Sequence, residues 1–143
     1  MQLTLHTDYS LRVLIYLQCT GSETTIAEIA DRFQISRNHL VKVVHELGKK
    51  GYVHTTRGRG GGISLACDPA KVTIGQVVRD METNFNIVEC FQVETSNCLL
   101  TPHCALKGAL MSANRAFLKE LDKHTLASVT QNHRTIQRLL SAV

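Results

Sequence analysis

The stretch TIAEIADRFQISRNHLVKVVHEL, residues 25–47, decides how this chain is built. Thr25 with Glu28 three residues on is a capping box, in which hydroxyl and carboxylate satisfy each other's backbone amides at a helix start. Ile26, Ile29, Ala30 and Phe33 then recur at helical spacing and form one apolar face. Gln34-Ile35 makes a short turn, Ser36 offers the next N-cap, and Leu40, Val43, Val44 and Leu47 repeat the helical period. Two short helices joined by so tight a turn are a helix-turn-helix, whose second helix presents its N-terminal side chains to base edges in the major groove. Here those are Ser36, Arg37, Asn38 and His39, with Lys42 one turn on. Arg pairs bidentately with guanine and Asn with adenine, whereas Ser and Lys more often hold phosphates. The competing reading is a three-helix bundle with an ordinary polar face.

Upstream, Thr7 is expected to cap a helix carrying Leu11, Val13, Leu14, Ile15 and Leu17 and ending near Gly21. Downstream, Gly48 and Gly51 punctuate the end of the reading helix. Tyr52–Thr56 and Ile63–Ala66 have strand composition, and Arg57-Gly58-Arg59-Gly60-Gly61-Gly62 lies between them. Glycines at such a tip, Gly60 among them, let the backbone approach nucleic acid, with Arg57 and Arg59 set for phosphates or a narrow minor groove. This is a wing. It is not a nucleotide-phosphate loop, because no Gly-Lys-Ser/Thr ends it and Ile63 replaces the last glycine of G-x-G-x-x-G. Thr73 then caps a short helix with Ile74, Val77, Val78 and Met81, read as packing that completes the core. The fold class expected is mostly α with a small β-hairpin wing: a winged helix-turn-helix over 1–82, followed by further helix.

Charge supports the same partner. Residues 32–59 carry seven Lys or Arg against Glu46 alone, a local +6 within a chain of net +4. Such a stripe is the footprint of a polyanion such as double-stranded DNA, the competing reading being a solvated patch. A chain of 143 residues buries one core. Its N-terminus lacks a basic, apolar leader and its apolar runs are short, so export and membrane spanning are not expected. Five cysteines, an odd number, suit a reducing cytoplasm better than a disulfide scaffold. No Ser/His/Asp, paired-carboxylate or cofactor pattern stands out, so no catalytic residue is assigned and an enzyme is not expected.

Residues 83–104 hold Cys90, Cys98 and Cys104, spaced C-x7-C-x5-C, with Pro102 and His103 just before the last. Neither C-x-x-C redox chemistry nor a paired zinc ribbon has this spacing. Thiolates favour zinc or iron–sulfur centres, and three of them leave either one ligand short. Burial as small hydrophobes is the competing reading, and it is the preferred one for Cys19 and Cys67. In 105–143, Leu106, Leu110, Ala113, Phe117 and Leu121 form a heptad-like seam suited to packing against its own copy as a homodimer. Intrachain packing is the alternative. A second amphipathic segment with Leu126, Val129, Ile136, Leu139 and Leu140 can fold back on the core.

The run Thr7-Asp8-Tyr9-Ser10-Leu11-Arg12, the segment Ser36-Arg37-Asn38-His39, the glycine-rich wing and the three-cysteine loop together resemble the NsrR/IscR family over essentially the whole chain. Asn38-His39 and Leu118-Lys119-Glu120-Leu121-Asp122 place it nearest the NsrR branch. The resemblance implies a cytoplasmic, homodimeric repressor whose iron–sulfur cluster gates operator binding. On this reading nitric oxide is the signal, and its reaction with the cluster derepresses nitric oxide-detoxification genes. It further implies ligation by Cys90, Cys98 and Cys104, of a 4Fe–4S cluster ahead of a 2Fe–2S one. Asp8 of the partner subunit would complete the set, with His103 and His6 as further candidates. The IscR branch uses a histidine three residues after the last cysteine, where Lys107 stands here. An IscR-type iron–sulfur or redox-responsive regulator, and a zinc-stabilised winged helix without sensing, remain the alternatives.

Overall fold

A computed structural model of the chain describes residues 2–56, 58, 61–92 and 94–141. Three helices, α1 (Leu5–Thr20), α2 (Ile26–Phe33) and α3 (Arg37–Lys49), lead into a hairpin of β1 (Val53–Thr55) and β2 (Ile63–Leu65). Four more follow: α4 (Ile74–Met81), α5 (Ala105–Leu121), α6 (Leu126–Val129) and α7 (His133–Ser141). Helices α2 and α3 form the expected helix-turn-helix. Both halves of the Thr25–Glu28 capping box are made, and the turn passes through Gln34 at φ 52°. Ser36 occupies the cap position of α3 without a side-chain capping bond.

The start of α1 differs from the sequence expectation. Thr4 is the cap, its hydroxyl accepting the Thr7 amide at 3.3 Å. Thr7 lies inside the first turn, fully buried, and donates its hydroxyl to Glu82 Oε2 at 2.7 Å. Both threonines are competent caps; a carboxylate from the end of α4 takes the second. Gly48 likewise sits within α3 rather than ending it, and the left-handed residue past the helix is Gly51 at φ 79°.

Val13 and Leu14 of α1, Ile29 of α2, Leu40, Val43 and Leu47 of α3 and Val77 of α4 are wholly shielded from solvent. They are the apolar stripes the helical periods anticipated, turned toward one core. The hairpin is antiparallel with Val53 opposite Leu65 and Thr55 opposite Ile63. Thr24, just before α2, bridges Ile63 through two backbone bonds of 3.1 and 2.7 Å, which ties the wing to the helix-turn-helix. Leu126 of α6 enters the same core and Leu140 of α7 packs against it, so the C-terminal segment returns onto α1 as its amphipathic pattern allowed. The Gln137 amide donates to the Cys19 carbonyl there. Cys19 is buried and Cys67 half-buried against the core, and burial pushes both thiols up, as suits packing residues.

Arg79 of α4 grips Asp122, just past α5, with two hydrogen bonds of 2.6 Å. Gly75 lies against Asp122 so closely that a Cβ would collide with its carboxylate. This contact fixes the far end of α5 to α4, while the residues between the two helices are left to irregular structure. Among the described residues no helix is long and apolar enough to cross a membrane.

Candidate nucleic-acid interface and cysteine segment

Helix α3 divides its side chains cleanly. Leu40, Val43, Val44 and Leu47 are buried, whereas Ser36, Arg37, Asn38 and Lys42 are exposed along one edge with Val41. A cleft of about 250 Å³ runs between the start of α2, Arg37 and the root of the hairpin, lined by Thr25, Thr55, Thr56 and Gly62 among others. Helix N-terminus, reading helix and wing root therefore face one space. Arg57, Arg59 and Gly60, the tip residues expected to touch nucleic acid, lie outside the described residues.

His39 is placed differently from its neighbours on α3. It is half-buried, with its ring edge-on to Tyr9 of α1 at 4.9 Å between centroids and His6 at 6.5 Å. It joins the reading helix to α1, a role that position on α3 alone could not reveal. A second tie, unforeseen from sequence, holds the wing root. The Tyr52 hydroxyl donates to Asp80 Oδ2 of α4 at 2.5 Å, and Lys50 Nζ lies 4.0 Å from the same carboxylate. Burial, reinforced by that acceptor, pushes the Tyr52 phenol well above its ordinary range, so it stays a donor.

Helix α4 ends at Met81, and Glu82 caps it one residue before the cysteine segment begins. Glu82 Oε2 accepts the Thr4 amide at 3.0 Å, the Thr4 hydroxyl at 3.2 Å and the Thr7 hydroxyl at 2.7 Å, which binds the residue just before the segment to the start of α1. Further along, Asn114 of α5 donates to the Phe85 carbonyl at 2.9 Å and Glu89 accepts the Asn97 amide at 2.8 Å. Two short 3-10 turns, Glu89–Phe91 and Thr101–His103, interrupt an otherwise irregular path.

Cys90 sits in the first turn, Cys98 precedes the second, and Cys104 is the N-cap of α5, its Sγ accepting the Lys107 amide at 3.4 Å. All three are free and half-buried. As a donor set they suit a thiophilic centre: three thiols, none paired with another, on a segment that is irregular apart from two short 3-10 turns. Among the described residues no three His, Cys, Asp or Glu are gathered around one metal-sized point, so binding would require the segment to close.

Of the other candidate ligands, Asp8 and His6 lie apart from that segment in chain position, whereas His103 adjoins Cys104. Asp8, on the first turn of α1, is held by Arg12 through contacts of 2.7 and 3.2 Å, and the guanidinium also lies over the Tyr9 ring at 5.7 Å. His6 faces His39, and His103 is exposed at the end of the second 3-10 turn. The expected pairing seam is uncovered: no residue of α5 is buried, Leu106 is 65% exposed, Ala113 is exposed, and Leu110, Phe117 and Leu121 are half-buried.

Residues 3–132 match the Rrf2 family, described as an iron-dependent transcriptional regulator. The chain is 50% identical over 143 residues to the HTH-type transcriptional regulator NsrR of Bacillus licheniformis, covering 99% of this chain and 100% of that one. It is 50% identical over 142 residues to the regulator of the same name from Bacillus subtilis, at 98% and 97% coverage. Among solved structures it superposes on the cysteine regulator CymR of B. subtilis with a TM-score of 0.74 at 24% identity, covering 92% of this chain and 98% of that one. For T. potens IscR the TM-score is 0.72 at 20% identity, covering 92% and 88%. Those two likenesses establish the winged-helix fold.

Proposed function

The chain belongs to the Rrf2 family of transcriptional regulators, and from that premise we propose that it is a cytoplasmic, homodimeric repressor whose grip on operator DNA depends on an iron–sulfur cluster sensitive to nitric oxide. The observation that carries this reading is the set of three free, half-buried cysteines on the irregular segment between α4 and α5. Residues 83–104 would be the sensor and the helices after it, through the exposed α5 seam, the pairing region.

Cys90, Cys98 and Cys104 would hold the cluster, of 4Fe–4S type ahead of 2Fe–2S, with Asp8 of the partner subunit as the fourth donor. Bound there, the cluster would supply the iron with which nitric oxide reacts. The remaining work falls to the chain's own residues. With its three cysteines tethered together, the segment is closed at both ends, at Glu82 on α1 and at Cys104 on α5. Helix α1 contacts α3 through Tyr9 and His39, so the position of its first turn bears on the reading helix. Release of the cysteines frees the segment, and Arg12 stands ready to pair with a released Asp8. Paired recognition helices about one DNA turn apart read a palindrome, so a change between subunits alters half-site spacing and lowers affinity.

Iron and acid-labile sulfide, counted per chain on protein purified without oxygen, test the reading. Near-equal iron and sulfide is the expected result. Zinc with no sulfide would replace the sensor by a metal-stapled DNA-binding module. On the DNA side, Arg37→Ala should weaken operator binding and reduce the slope of log affinity against log salt by about one, as for any side chain that neutralises one phosphate. Weaker binding with an unchanged slope would assign Arg37 to a base edge instead.

A further inference from the structure

Among the described residues the buried hydroxyls are satisfied, with one exception. Thr7 donates to Glu82 at 2.7 Å, Ser10 to the His6 carbonyl at 2.7 Å, Thr24 to Glu28 at 2.8 Å and Thr130 to the Leu126 carbonyl at 2.8 Å. Among the described residues the exception is Thr101, whose Oγ1 is shielded from solvent and has no hydrogen-bond partner. A hydroxyl that gives up water without replacement is expensive, and such a group marks a place where a further partner is bound.

Its position says which kind of partner. Thr101 stands three residues after Cys98 and three before Cys104, and opens the second 3-10 turn. The Thr101 amide donates to the Cys98 carbonyl at 3.2 Å and the His103 amide to the Leu100 carbonyl at 3.1 Å. Backbone wound at three residues per turn puts residues three apart on the same side. One such turn, closed by the Thr101 amide on the Cys98 carbonyl, separates Thr101 from Cys98, and Leu99 and Leu100 within it are 95% and 70% exposed. The unengaged hydroxyl thus stands one turn from Cys98 and three residues from Cys104, beside two leucines exposed to solvent.

We propose that the Thr101 hydroxyl donates a hydrogen bond to anionic sulfur at the iron–sulfur site, so that Thr101 stabilises the cluster without ligating it. This rests on the cluster reading above. A donor to sulfur draws off charge, which raises the reduction potential, and groups that orient and polarise metal ligands commonly matter to affinity nearly as much as the ligands do. No such bond exists for the hydroxyl to lose in the cluster-free chain.

The test compares wild type, Thr101→Val, which keeps the shape and removes the donor, and Thr101→Ser, which restores it. Full-length protein is purified without oxygen. Wild type is first assayed for iron and sulfide; if it carries none, the cluster reading itself has failed. With a loaded wild type, Thr101→Val should release iron to a chelator on the order of tenfold faster and show a more negative reduction potential. Thr101→Ser should stay near wild type in both. Stripped of cluster, Thr101→Val should melt at or slightly above the wild-type temperature, since it replaces an unpartnered buried hydroxyl with a methyl group. Wild-type iron release and potential in Thr101→Val would overturn the proposal while leaving the cluster in place. So would failure of serine to restore them, or an equal loss of stability in the cluster-free chain.

Discussion

An alanine at Cys98 should leave the chain folded, strip it of iron, and weaken operator binding about a hundred- to a thousandfold, toward the level of non-specific DNA binding. Cys98 is half-buried on an irregular segment and is absent from the core, so removing its sulfur disturbs no packed stripe. What would be lost is one of the three proposed thiolate donors, and with it the proposed closure of the segment between Glu82 and Cys104. The helix-turn-helix would keep its basic edge, and therefore its attraction for phosphates, but the two reading helices would no longer be held in register. Three readings on one preparation check this: iron and sulfide content, the melting temperature, and affinity for an operator selected from random sequences at fixed salt. Iron-free protein that binds that operator as tightly as wild type would sink the cluster-gated mechanism. A large fall in melting temperature would instead mean that Cys98 is structural.

Leu40→Ala should act through the opposite link, stability. Leu40 is wholly shielded on the inner face of α3, against the stripes of α1 and α2. Deleting its branched end should cost about 3 to 4 kcal/mol, transfer and cavity terms together. That is a large share of the roughly 5–15 kcal/mol that holds a domain together. In a chain of this length the melting temperature should fall by about 10 °C. Arg37, three residues earlier but on the exposed edge, should change stability by no more than about 0.5 kcal/mol when replaced by alanine. Urea or thermal unfolding of the two variants side by side decides the matter. A Leu40→Ala variant with near-wild-type stability would mean that the inner and outer faces of α3 are misassigned.

The helix-turn-helix was legible because its determinants are local. The Thr25–Glu28 box, the 3.6-residue recurrence of Leu40, Val43, Val44 and Leu47, and the glycine-rich interval before Ile63 each lie within a few residues of what they specify. The start of α1 was misread for the converse reason. Thr4 and Thr7 are equivalent caps by local chemistry, and the choice is made by Glu82, 75 residues beyond Thr7. His39 read as one more polar residue at the mouth of the reading helix, yet Tyr9 draws its ring back onto α1. Tyr52 and Asp80, 28 residues apart, gave no joint signal at all.

The cysteine segment shows both sides. Spacing and residue type suffice to nominate Cys90, Cys98 and Cys104, because ligand chemistry is a property of side chains. Whether they converge is not written in the spacing, and neither is the lack of a partner for the Thr101 hydroxyl. Both depend on how an irregular stretch runs between two fixed points, the end of α4 and the start of α5. Helix periods, caps and turns are encoded in hydrogen bonds that close over three or four residues, so neighbouring letters suffice to read them. Contacts such as Glu82 with Thr7, or Leu126 with the core of α1, must first overcome the entropy of closing a long loop. They form only after burial of the shared core has brought their elements together, and so they belong to the folded chain rather than to any stretch of its sequence.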